Sequence, residues 1–68
     1  MCRNIKPLRY PDRPPTDEEL QLAALQFVRK VTNYRQPSQA NTAAFDSAVE
    51  DVAIRLRRLF DELIVRSA

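Results

Sequence analysis

The sequence predicts an all-α fold: an antiparallel two-helix hairpin preceded by an extended, proline-rich N-terminal arm. Three observations predict it. Four of the five prolines (Pro7, Pro11, Pro14 and Pro15) fall within the first fifteen of 68 residues. Two long stretches then carry apolar residues at alternating steps of four and three, the helical period. A single short connection around Pro37 separates them, which makes the helices antiparallel neighbours.

The arm comprises residues 1–15. Proline fixes φ and removes the backbone donor, so this segment is neither helix nor central strand. It is expected to run close to polyproline II over Pro11 to Pro15. Residues 16–68 form the hairpin. Thr16-Asp17-Glu18-Glu19 reads as a capping box, with Pro14-Pro15 blocking any backward extension. Three acids in that first turn complement the helix dipole.

The first helix is expected over about residues 17–35. Leu20, Ala24, Phe27, Val31 and Tyr34 form its stripe, flanked by Ala23 and Val28, and Asn33, Gln36 and Pro37 end it. Ser38 or Asn41 supplies the next cap. The second helix is expected over about residues 39–66, with a stripe of Phe45, Val49, Val52, Leu56, Leu59 and Leu63. Asp51–Arg55, Arg58–Glu62 and Glu62–Arg66 support it one turn apart. Glycine is absent, which agrees with a chain in which no position demands a left-handed backbone.

Folding at residue 37 brings Asp17, Glu18 and Glu19 near Arg55, Arg57 and Arg58, and Arg29 and Lys30 near Asp46. Such exposed pairs contribute about 0–1 kcal/mol each, so they check the hairpin rather than hold it. Two helices meeting along one seam bury little, and small scaffolds need a staple or a partner. The apolar residues that project away from the seam, Leu22, Leu25, Ile54 and Val65, are therefore the candidate interaction surface. Either the arm covers Leu22 and Leu25 with Ile5, Leu8 and Tyr10, or a second copy does, and the two can coexist. Two hairpins pairing into a four-helix bundle is the simplest symmetric completion.

Composition excludes much chemistry. There is no histidine, the commonest acid–base catalyst and metal ligand. Without glycine, the chain has no phosphate-cradling loop. One cysteine makes no internal disulfide and no cysteine-rich zinc site. No catalytic residue, metal site or cofactor is therefore expected, and no small-molecule substrate. Cys2 is the one reactive thiol to weigh: exposed by removal of Met1, it would pair an α-amine with a thiol that Arg3 and Lys6 acidify. A helical hairpin offers it neither an oxyanion hole nor a substrate pocket. Cys2 otherwise anchors the arm as a small buried residue.

Charge is uneven. Residues 1–15 carry Arg3, Lys6, Arg9 and Arg13 against Asp12 alone, a net +3, while the remainder carries seven bases and eight acids. A basic arm on a near-neutral body suits an anionic partner. Arg3, Lys6, Arg9 and Arg13, with Tyr10 to stack on a base, are the candidate nucleic-acid contacts. A ribbon-helix-helix repressor also sets an arm before two helices, but Pro7 breaks the ribbon and these helices are too long. Protein–protein association or self-association as a homodimer is thus the first expectation, and nucleic-acid association the second. No stretch is apolar enough to span a membrane or direct secretion, so a cytoplasmic location is expected.

Three blocks carry a resemblance: Met1-Cys2-Arg3-Asn4-Ile5-Lys6, Ala23-Ala24-Leu25-Gln26-Phe27-Val28-Arg29-Lys30, and Pro37-Ser38-Gln39-Ala40-Asn41 followed by Ala43-Ala44-Phe45-Asp46. Together they resemble a small uncharacterised bacterial family, a domain of unknown function whose members begin Met-Cys-Arg-Asn-Ile. The resemblance covers nearly the whole chain and implies no catalytic residues. Many members continue into a charged Lys/Arg/Glu-rich tail that is not present after Ala68, so a role of that tail is not carried over.

Overall fold

A computed structural model describes residues 6–63; expectations resting on Cys2, Arg3, Ile5, Val65 and Arg66 lie outside the described residues. The described chain is helical, without a strand. Helix α1 spans Asp17–Thr32, a single 3₁₀ turn spans Gln39–Asn41, and helix α2 spans Thr42–Glu62. The two α-helices pack on each other.

Helix α1 starts on the capping box. Thr16 takes extended backbone angles; the Glu19 N–H donates to its Oγ1 (3.2 Å), and its own N–H donates to Glu19 Oε1 (2.8 Å). The helix ends at Thr32 rather than near residue 35. Thr32 Oγ1 donates to the Val28 carbonyl (2.7 Å) and accepts the Tyr34 N–H (3.2 Å), replacing the next helical bond. Asn33 then turns left-handed at φ 60°, ψ 22°. The expectation that no position demands a left-handed backbone is thereby corrected. Asparagine takes the place glycine usually fills after a helix, because its short polar side chain tolerates this region.

Neither Ser38 nor Asn41 makes a side-chain cap bond. The Ser38 carbonyl instead accepts from the Asn41 N–H (2.9 Å) and from Thr42 Oγ1 (3.0 Å), and the 3₁₀ turn leads into α2. Helix α2 ends at Glu62, short of residue 66, with Leu63 extended. The ending has a packing cause. Asp17, the first residue of α1, pairs with Arg57, so beyond this level α2 has no helix alongside to stabilise further turns.

The core is a narrow seam. Leu20, Ala24 and Val28 of α1 and Phe45, Val49 and Ala53 of α2 are buried, with Leu8 of the arm. Each helix contributes a row of every fourth residue, in place of the four-three stripe expected from the sequence. Val52 and Leu56 are half-buried. Phe27, Val31, Tyr34, Leu59 and Leu63, assigned to the stripes, are exposed. Ala24 and Ala53, the smallest side chains in these rows, are 0% and 5% exposed. Leu20, only 1% exposed, is the largest fully buried side chain and contributes about 1.5–3 kcal/mol of burial.

Two ion pairs form among the described residues, Arg57–Asp17 and Arg13–Glu19. The first fits the charge pairing expected between the start of α1 and the end of α2. The expected Arg29–Asp46 contact is absent from them; Arg29 is half-buried instead, with an unpartnered Nε.

Candidate functional site

Two features stand out from the seam: a polar clamp that holds the arm, and an apolar flank on which Phe27, Val31, Leu59 and Leu63 are exposed. The clamp is centred on Glu19. Arg13 reaches back with both terminal nitrogens, Nη1 to Oε1 at 2.9 Å and Nη2 to Oε2 at 3.1 Å. Tyr10 Oη donates to Oε2 at 2.7 Å, and the Arg13 guanidinium lies 4.2 Å over the Tyr10 ring. A planar guanidinium suits both contacts, since it meets a carboxylate in a fork and an aromatic ring on its face.

These bonds set the clamp's electrostatics. Arg13, then the Thr16 N–H, then Tyr10 hold the Glu19 carboxyl well below the usual carboxylate range. The same bond to Glu19 pushes the Tyr10 hydroxyl above its ordinary value, and the carboxylate likewise raises Arg13.

The clamp bears on the candidate anion contacts. Tyr10 and Arg13 are already engaged within the chain, whereas Lys6 and Arg9 are exposed. Arg3 and Cys2 lie outside the described residues. The clamped arm and the end of α2 together line an open cavity of about 270 Å³, where Tyr10, Pro11, Pro14 and Pro15 face Phe60 and Leu63.

The described residues of the arm do not shield Leu22, which is 54% exposed. Ile54 is similarly open, on the other helix. Leu25 is placed differently from the sequence expectation: it is half-buried and packs against the core cluster with Ala48 and Val52. Val65 is outside the described residues. At 100° per residue, Leu22 points away from the seam and Ile54 to one side of it, so the two do not share a patch.

A more continuous surface lies on one flank of the seam. Measured from Ala24, Phe27 and Val31 are turned the same way around α1 by about 60° and 20°. Measured from Val49, Val52, Leu56, Leu59 and Leu63 are turned in that same sense around α2 by about 20–80°. Phe27 and Val31 are 48% and 67% exposed, and Leu59 and Leu63 are about as open as Tyr34. Sequence periodicity assigned these residues to the core. No signal within one helix places them outside it, because the partner helix decides which rows are buried. On the opposite flank, Asp17, Gln21, Glu50, Arg57 and the exposed Ile54 border an open cavity of about 320 Å³ that Leu20 and Ala53 also line.

Comparison with known proteins resolves the family. The model described as "Uncharacterized conserved protein (DUF2277)" matches residues 1–68. The chain belongs to this family. No curated protein and no solved structure shows significant similarity to it. The DUF2277 match takes in the arm as well as both helices, so the clamp and the flank lie within one family unit. No described helix is long and apolar enough to cross a membrane.

Proposed function

We propose that this chain is a non-catalytic, cytoplasmic helical module that works by associating with protein, its two helices forming an antiparallel hairpin. One observation carries the proposal: Phe27, Val31, Leu59 and Leu63 are exposed on the flank of a seam in which six residues of the described helices are buried. A core this small contributes little stability alone, and covering the flank adds apolar burial without new chemistry. The composition supports a non-catalytic role, since the sequence lacks histidine and has a single cysteine.

Nucleic-acid association through the basic arm is the competing function. Two of its candidate contacts, Tyr10 and Arg13, are bonded to Glu19, and of the arm's described cations Lys6 and Arg9 are exposed outside that clamp.

The experiment places a photo-crosslinking phenylalanine at position 27 in cells and, in parallel, titrates the purified chain with duplex and single-stranded DNA and RNA at two salt concentrations. Protein adducts at position 27, absent from a control at position 50, are expected. Nucleic-acid binding that falls steeply with salt and vanishes when Lys6 and Arg9 are changed to serine would overturn the proposal.

A further inference from the structure

Glu19 serves two structures at once. Its Oε1 accepts the Thr16 N–H of the capping box, and its two oxygens also accept from the arm, through Arg13 and the Tyr10 hydroxyl. An arginine fork and a phenol hydroxyl converging on one anionic group form an anion-binding arrangement, and here a side chain of the same chain fills it. The Arg13 guanidinium also lies over the Tyr10 ring, so the closed clamp takes up a face on which a base would stack.

The charges around the clamp separate two states of the arm. Its described residues carry Lys6, Arg9 and Arg13 against Asp12. Docked, the arm is tied to the first turn of α1, with Asp17, Glu18 and Glu19, and lines a cavity with the end of α2, where Arg57, Arg58, Asp61 and Glu62 lie. Residues 16–19 and 57–63 thus set five acids and two bases beside it. A polyanion approaching the docked arm meets those acids and competes with Glu19 for Arg13. Once the arm leaves, three cations and the Tyr10 ring are presented together, and Pro7, Pro11, Pro14 and Pro15 keep the segment extended at little entropic cost.

We propose that the arm is an autoinhibitory strap: Glu19 fills an anion site made by Tyr10 and Arg13, and release of the arm turns it into a binding segment for single-stranded nucleic acid. The inference goes beyond the association function, which uses neither Tyr10 nor Arg13. A single strand favours the released state because only there are Arg13 and Tyr10 open to a phosphate and a base, and this difference in affinity is what shifts the population. Glu19 is the latch, since it alone holds both arm groups.

Glu19→Gln tests the latch, because glutamine completes a capping box as glutamate does but lacks the charge. Glu18→Gln removes an equal charge from the same turn, outside the clamp. Both are compared with the native full chain, circular dichroism confirming that each stays helical. Trypsin cuts poorly before proline, and Lys6 and Arg13 precede Pro7 and Pro14, so Arg9–Tyr10 is the susceptible bond of the described arm. Its cleavage rate, followed by mass spectrometry, reports the population of released arm. Fluorescence anisotropy of labelled oligothymidine at low salt reports binding. Glu19→Gln should be cut several-fold faster and bind several-fold tighter than the native chain, whereas Glu18→Gln should match the native chain in both. Arg13→Ser should also be cut faster yet gain no binding, having lost a ligand together with the latch. Unchanged cleavage of Glu19→Gln, equal binding gains for Glu18→Gln and Glu19→Gln, or binding by Arg13→Ser as tight as by Glu19→Gln would overturn the strap. Adducts at position 27 are read separately, so their loss removes the association function and not the strap.

Discussion

Arg57 holds Asp17 across forty residues of chain, its Nη2 and Nε donating to Asp17 Oδ1 at 2.7 and 3.2 Å. The same Nη2 donates to the Pro15 carbonyl at 2.9 Å, so one guanidinium joins the end of α2, the first turn of α1 and the last residues of the arm. The two acceptors are unequal. The Asp17 side chain is 89% exposed and its ion pair is screened, whereas the Pro15 carbonyl is partly shielded.

Removing this joint separates the two contributions. Arg57→Ala should cost about 1–2 kcal/mol, chiefly from the backbone bond, and Asp17→Asn about 0.5 kcal/mol or less. Urea unfolding followed by circular dichroism measures both. Equal losses for the two variants would mean that the ion pair, and not the Pro15 bond, holds the joint.

Acid should loosen the arm through Glu19. Its folded-state carboxyl titrates below the ordinary value of 4.5, so its contribution is complete above that value and is lost as pH falls toward the lower folded one. The native chain should therefore lose melting temperature on acidification below about pH 4.5 more steeply than Glu19→Gln. Parallel pH profiles for the two would show that the clamp contributes nothing to folding.

The Tyr10 hydroxyl gives the alkaline counterpart. Because it donates to Glu19, it should ionise above the ordinary value of 10.0. Its share of stability is then full below that value and is lost as pH rises through the folded one. The ultraviolet titration of the native chain minus that of Tyr10→Phe isolates this group. A midpoint at or below 10.0 would mean that the bond is not kept in solution.

Asn33 sets the end of α1. Its φ of 60° is a conformation that glycine enters without steric penalty, so Asn33→Gly should match or raise stability by up to about 1 kcal/mol. Asn33→Val should lower it by about 1–2 kcal/mol, since a β-branched side chain is poorly accommodated there. Thermal melts of both variants decide it, and a valine variant as stable as the native chain would contradict the left-handed ending.

The narrow seam should be sensitive at one leucine and indifferent at another. Leu20→Ala should cost about 2–4 kcal/mol, enough to unfold much of so small a domain, whereas Leu22→Ala should change stability by about 0.5 kcal/mol or less. Chemical denaturation distinguishes them. The two residues are both leucines on one helix, 1% and 54% exposed.

That contrast marks what a linear chain reveals. Thr16 and Glu19 announce the start of α1 because a capping box is local chemistry, complete within four residues. Pro14 and Pro15 block its extension, and the missing histidine removes a class of catalyst, with no knowledge of the fold. The helical stretches were legible from their apolar spacing for the same local reason. The working surface was not. Periodicity names the apolar side of a helix, but a stripe wider than one seam holds more residues than the seam buries, and only the partner helix selects among them. Here packing of the two helices buried the rows of every fourth residue and left Phe27, Val31 and Leu59 exposed. The arm followed the same principle. Its prolines made it non-helical from the outset, but its docking against Glu19 and the end of α2, with Leu22 left open, was decided by contacts between residues that only the folded chain brings together.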